Sequence, residues 1–179
     1  MSAGVESEIK VRMADPESAR AAVRAIGAAL VRARHFEDNL LLDDADRSLT
    51  ARGSALRVRR VEDRGVLTFK GPRQVIDGVK SRQEIETGLD GPAAAESILL
   101  ALGYRPAFRY QKYREVYRWK DAEIVVDETP IGTFLEIEGE IEAVHATASA
   151  LGFGPDRYIT ESYVALYLAG GGQGDMIFR

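Results

Sequence analysis

Charged residues recur at every second position along this chain, and they are sorted by sign. Glu6 and Glu8 are followed by Lys10 and Arg12. Arg57 and Arg59 come next, then Lys70. Lys80, Arg82, Glu84 and Glu86 share one stripe, Lys112 and Arg114 another, and Glu136 and Glu138 close the series. A spacing of two puts such residues on one face of an extended strand. Arg suits two-pronged contacts with phosphate, and carboxylates suit hard divalent cations. A solvated sheet mixes Lys and Glu so that neighbours pair, whereas grouping by strand points to a shared enclosed space. Cations gathered in one cavity repel one another without a polyanion, and carboxylates at the same mouth repel without a metal. A magnesium or manganese triphosphate satisfies both sets. Half-buried strands with solvated outer faces account for any single stretch, but not for the sorting.

Other chemistry-bearing residues read as structural. His35 and His145 have no neighbouring nucleophile pattern, so a hydrolase triad is unsupported. Trp119 and the tyrosines around it suit packing better than base stacking. Tyr163 and Tyr167 are expected to pack their helix rather than line a tunnel end. Asp43, Asp44 and Asp46 lack the glycine and closing Glu of a calcium loop. Gly170 to Gly174 lacks the flanking strand and helix of a phosphate loop.

The elements that position the charges can be read from the periodicity. Val5, Ile9, Val11 and Met13 back the first charged stripe. Asp15-Pro16-Glu17 starts a helix with Ala19, Ala22, Val23 and Ile26 as its apolar stripe and Gly27 as its stop. Residues 30–44 read as extended. Residues 55–61 and 66–70 are strands joined at Asp63-Arg64-Gly65, and 73–78 is expected to be a loop. Residues 79–89 form a strand whose second face, Ser81, Gln83, Ile85 and Thr87, is weakly apolar, as near a sheet edge. Asp90-Gly91-Pro92 opens a helix in which Ile98, Leu99 and Leu102 are expected to be buried. Further strands are expected at 108–119, 123–127 and 134–138, and helices at 141–151 and 158–168. Arg12 and Lys80 are expected at solvated strand ends. About eight strands with short connections are antiparallel candidates. Helices on their apolar side leave the charged side inside a closed barrel. The expected fold is α+β, an eight-stranded antiparallel β-barrel with helices packed outside. Residues 1–169 form one domain, and 170–179 a flexible tail.

The chain of 179 residues has a formal net charge of −4 and no cysteine. The charge argues against nucleic-acid partners, and disulfide and thiolate chemistry are excluded. No segment resembles a signal peptide and no apolar run reaches spanning length, so a cytoplasmic protein without a membrane partner is expected.

The motifs together resemble the CYTH superfamily, the triphosphate tunnel metalloenzymes, which include class IV adenylyl cyclases, thiamine triphosphatases and inorganic triphosphatases. Glu6-Ser7-Glu8-Ile9-Lys10 matches the ExExK signature. Leu56-Arg57-Val58-Arg59 and Leu67-Thr68-Phe69-Lys70-Gly71 match the next blocks, and Arg82-Gln83-Glu84-Ile85-Glu86 the acidic central strand. Tyr110-Gln111-Lys112-Tyr113-Arg114 matches the basic late strand, and Asp127 to Gly139 the closing acidic block. Blocks in this order, covering roughly residues 5 to 168, are far more specific than a lone ExExK. The resemblance implies that Lys10, Arg57, Arg59, Lys70, Arg82, Lys112 and Arg114 hold a triphosphate substrate. It implies that Glu6, Glu8, Asp127, Glu136 and Glu138, joined by Glu84 and Glu86, serve Mg²⁺ or Mn²⁺, two ions being expected. Glu6, Glu8 and Lys10 are the catalytic candidates, and the assignment of each carboxylate to an ion stays open. A homodimer is expected from the resemblance alone. Hydrolysis of an inorganic, nucleoside or thiamine triphosphate is the leading function. A class IV adenylyl cyclase making cyclic AMP and pyrophosphate is the alternative, and a non-catalytic polyphosphate or nucleotide receptor the third reading.

Overall fold

The computed structural model describes the backbone of residues 2–179 and the side chains from residue 4 onward. The strands are β1 (Ser2–Met13), β2 (Ala29–Asp43), β3 (Ala55–Val61), β4 (Arg64–Lys70), β5 (Gln74–Ile76), β6 (Val79–Leu89), β7 (Arg105–Trp119), β8 (Ala122–Thr129) and β9 (Gly132–Glu138). The helices are α1 (Pro16–Ala25), α2 (Ser48–Ala51), α3 (Pro92–Ala101), α4 (Ile141–Ala150) and α5 (Tyr163–Ala169), with a 3₁₀ turn at Pro155–Arg157. The hydrogen-bonded order β1-β9-β8-β7-β2-β3-β4-β6 returns to β1 through a β1–β6 pairing, so eight antiparallel strands close a barrel. The expected α+β barrel is the observed fold.

The barrel closes with its charged faces inward because its apolar faces have partners outside. Ile9, Val11 and Ile137 pack with Val144 and Ala148 of α4. Ile124, Val126 and Leu135 pack with Ala19 and Val23 of α1. The Asp15 carboxylate accepts the Ser18 amide at 2.8 Å and fixes where α1 begins. Register then places Lys10 opposite Glu136, Glu8 between Glu138 and Lys80, and Glu6 opposite Arg82.

Several expectations are corrected. Residues 74–76, expected in a loop, pair with β6 outside the ring. The hairpin turns at Asp77 and Gly78, with φ of 51° and 76°, the left-handed geometry that tight hairpins use. Strand β6 is not an edge, since β1 and β4 flank it. Its weakly apolar outer face has Gln83, Ile85 and Thr87 exposed to solvent. The stripe of α3 is not buried: Ile98 is 61% and Leu102 70% exposed. Pro92 sits so tightly on Gly65 that a Cβ there would come within 2.7 Å of it, and of the apolar stripe only Leu99 is partly buried. The last helix starts later than expected, because Ile159 exchanges two backbone hydrogen bonds of 2.9 Å with Lys10 and stays extended. The tail is docked. Met176 donates to the Arg109 carbonyl at 3.0 Å and accepts from the Gln111 amide at 2.9 Å, while Phe178 packs on Tyr113 with ring centroids 5.3 Å apart. No helix among the described residues is long and apolar enough to cross a membrane.

The acidic run that begins at the end of β2 anchors α2. Buried Asp43 accepts the Leu49 and Thr50 amides at 3.0 and 2.9 Å and the Thr50 hydroxyl at 2.6 Å. Asp43→Ala leaves these donors unmet and is expected to cost about 1–3 kcal/mol. Urea unfolding checks this, and an unchanged midpoint would remove Asp43 from the anchoring role.

Candidate active site

The inner wall is a chain of ion pairs built across strand boundaries. On β8, Asp127 is fully buried. It accepts Arg114 Nε and Nη2 at 2.9 and 2.7 Å, Lys112 Nζ at 2.9 Å and the Tyr163 hydroxyl at 3.0 Å. Glu136 holds Lys10 at 3.1 Å and closely contacts Arg114. Lys10 also donates to Glu8 at 2.7 Å. Burial opposes the charge on Lys10, but Glu8 and Glu136 overcome it and raise its pKa well above the usual lysine range. Burial likewise opposes the Glu136 charge, and Lys10, Lys112 and Arg114 reverse that, holding its carboxyl well below the usual range.

The opposite wall comes from β3, β4 and β6. Arg57 donates to the Tyr110 hydroxyl, to Thr68 and to Glu86 at 3.2, 3.2 and 3.3 Å. Lys70 bridges Glu6 at 2.9 Å and Glu84 at 2.6 Å. Lys80 is not a solvated end. It is buried and bound to Glu8, because β1–β6 pairing sets the two opposite each other. Arg12 is exposed and donates to the Ile131 carbonyl at 2.9 Å.

The β2 stripe was absent from the sequence-derived set. Glu37 is 1% exposed and lies 3.3 Å from Arg59 and 3.7 Å from Lys112. Asn39, fully buried, accepts from Arg59 at 3.3 Å. The alternation of His35, Glu37 and Asn39 within a stretch already read as extended was the available signal. For Tyr163 the sequence favours helix packing over lining a tunnel end. From α5 it reaches into the barrel, with its ring 5.3 Å from Lys10 Nζ and 5.4 Å from Lys112 Nζ. It meets inward-facing Phe134 at 5.1 Å between centroids. Burial, then Asp127, raises its hydroxyl pKa well above the usual range, so it stays a neutral donor.

Away from Tyr163, a cavity of about 170 Å³ is lined by Gly4, Val5, Glu6, Glu84 and Glu86. Beside it, Glu6, Glu8 and Glu138 each present an oxygen, all within 4.8 Å of one another. Their chemistry fits a divalent cation. Burial, then Glu6, Glu136 and Glu8 among the neighbouring carboxylates, pushes Glu138 up to about 8. Burial and the hydrogen bond with Glu6 push Glu84 up to about 8. Burial also works against Glu6, but Glu84 and Lys70 bring it down to about 2. The mouth therefore carries more carboxylates than its cations neutralise. Asp127 and Glu136, placed with the metal set by resemblance, face the deep cations, and Glu86 faces Arg57 and Thr68.

A closed antiparallel barrel with a charged, ion-paired interior and a carboxylate-rich mouth defines a polar β-tunnel protein. The CYTH domain matches residues 5–151, and the chain belongs to that family. A Methanocaldococcus jannaschii protein named "Putative adenylate cyclase MJ0240" is 28% identical over 174 residues, covering 90% of this chain and 98% of its own. The PH1819 protein of Pyrococcus horikoshii superposes with a TM-score of 0.77 at 26% identity, over 92% of this chain and 99% of that one. HpAC1 from Hippeastrum, whose structure is described as revealing a dominant triphosphatase activity, superposes at 0.70 with 23% identity, over 92% and 96% of the two chains.

Raised carboxyl pKa values set a direction for pH dependence. The stability tied to protonated Glu138 and Glu84 is fully present below the ordinary 4.5 and is lost as pH rises through about 8. A cation on the mouth carboxylates displaces such a proton. Apparent Mn²⁺ affinity is therefore expected to rise by up to about tenfold per pH unit below 8 for each proton displaced. Thermal unfolding at fixed Mn²⁺, at pH 6 and 8.5, reads this, and an equal melting shift at both would contradict it.

Proposed function

We propose that this protein is a divalent-cation-dependent enzyme that cleaves a phosphoanhydride bond of a triphosphate by hydrolysis. The supporting observation is a cation-lined tunnel interior with a cluster of converging carboxylates at its mouth. Lys10, Arg57, Arg59, Lys112 and Arg114 line the interior, with Lys70 and Arg82 toward the mouth, and Glu6, Glu8 and Glu138 converge beside the cavity. Phosphoryl oxygens replace carboxylates as partners of cations already fixed in place, so little reorganisation accompanies charge development in the transition state. Lys10 stays protonated between Glu8 and Glu136 and acts as a fixed positive charge rather than a base. Water forms the new P–O bond, the bridging P–O bond breaks, and the released proton passes to a mouth carboxylate. Glu84, pushed up to about 8, is mostly protonated near neutrality and takes up that proton only in its ionised minority form. Mg²⁺ or Mn²⁺ on Glu6, Glu8 and Glu138 would neutralise phosphate oxygens and lower the pKa of bound water.

The name of the Methanocaldococcus jannaschii relative favours a second reading, in which the ATP 3′-hydroxyl replaces water and attacks the α-phosphorus. Incubation with ATP or inorganic triphosphate and Mg²⁺ or Mn²⁺, with products resolved by chromatography, separates the two. Orthophosphate supports hydrolysis, and cyclic AMP with pyrophosphate supports the cyclase. No product despite binding leaves a receptor.

Glu138→Gln gives the sharper check. The carboxyl already carries a proton through most of the neutral range, so the amide is expected to fold with equal or higher stability at pH 7. Metal-dependent turnover is expected to fall at least about 100-fold. Normal turnover would remove Glu138 from the cation site.

A further inference from the structure

Five buried polar side-chain atoms have no hydrogen-bond partner among the described residues: His35 Nε2, Glu37 Oε2, Asn39 Nδ2, Arg57 Nε and Arg82 Nε. Three of them fall on consecutive inward positions of β2, and Arg57 lies on β3, which pairs with β2. Unmet buried groups disfavour the folded state unless something answers them, and concentration on one stripe marks a site.

Their chemistry narrows what answers them. His35 Nδ1 donates to the Ala33 carbonyl at 2.9 Å, leaving Nε2 beside Glu37 Oε1 at 3.5 Å. Glu37 Oε1 faces Arg59 at 3.3 Å, while Oε2 lies 3.7 Å from Lys112, beyond hydrogen-bond reach. Asn39 Oδ1 is taken by Arg59, so its free atom is the Nδ2 donor. The stripe thus offers a carboxylate acceptor next to an amide donor. A phosphoryl oxygen is repelled by Glu37. A hydroxyl, or an amino group beside a ring nitrogen, donates to Glu37 and accepts from Asn39. Lys112 joins this stripe to the deep cations through Asp127, and Arg59, which holds both Glu37 and Asn39, is 17% exposed.

We propose that the inward stripe His35-Glu37-Asn39 is a subsite for the organic part of an organic triphosphate, held through a hydroxyl or amino edge. The inference rests on the triphosphate reading above and adds a preference to it. Inorganic triphosphate fills the cations but leaves Glu37 and Asn39 unmet, and a site built on buried polar groups discriminates against a ligand that lacks their partners.

Titration calorimetry in EDTA, where turnover is blocked, compares ATP, thiamine triphosphate and inorganic triphosphate. At least one organic triphosphate is expected to bind at least about tenfold more tightly than inorganic triphosphate. Asn39→Ala is expected to erase that preference, and because the ratio is the readout, a loss common to both ligands does not imitate the effect. His35→Ala is expected to reduce the same ratio and serves if Asn39→Ala does not fold. Equal affinities in the natural chain, or an unchanged ratio in a folded variant, overturn the subsite. Failure of all three ligands to bind the natural chain, both in EDTA and with Ca²⁺ in place of Mg²⁺, overturns the triphosphate reading itself.

Discussion

Closing eight strands into a ring takes one face of every strand away from bulk water, and each charge on that face must then be answered inside the ring. Asp127 shows how strict this is. Fully buried, it is shared by Arg114, Lys112 and Tyr163, which come from β7 and α5. Removing one partner of such a pair typically costs about 3–5 kcal/mol, because the other charge is left stranded. The carboxylates of the deep wall therefore hold the cations in place in the absence of an anion. An anion bound as proposed would find its donors already placed.

Neighbouring carboxylates on one strand behave oppositely for this reason. Glu136 and Glu138 are two residues apart on β9 and share a face. Glu136 sits among Lys10, Lys112 and Arg114 and is held ionised, whereas Glu138 faces Glu6 and Glu8 and is pushed up to about 8. Burial opposes ionisation at both, so the sign of each shift is decided by the facing residues. The acidic residues thus divide into counter-ions for fixed cations and a surplus at the mouth.

The alternation of Glu6-x-Glu8-x-Lys10 and Arg57-x-Arg59 made the inward face legible in the sequence, since period two survives folding whatever the topology. What it could not convey was which residues face one another. Lys80 looked like a strand end until the β1–β6 closure put it against Glu8. Glu37 and Asn39 stood in a stretch without a charge pattern, and their placement depends on β2 lying between β7 and β3. The apolar residues of α3 announced a helix but not a partner to cover it, and Ile98 and Leu102 are left exposed. A glycine-rich composition suggested mobility for residues 170–179, but Met176 finds a backbone partner and a buried seat on β7.

The deep end of the tunnel is tied to its own charge network. Tyr163 belongs to α5, yet its hydroxyl donates to the carboxylate that orients Lys112 and Arg114. Met176 of the C-terminal segment joins Tyr110, Phe134 and Tyr163 in one buried cluster, and Tyr110 in turn accepts a hydrogen bond from Arg57. The same two tyrosines therefore serve apolar packing on one side and the ion-pair wall on the other. Closure of the barrel end and the readiness of its cations are two readings of one set of contacts, which is why residues far beyond the last strand belong to the description of the site.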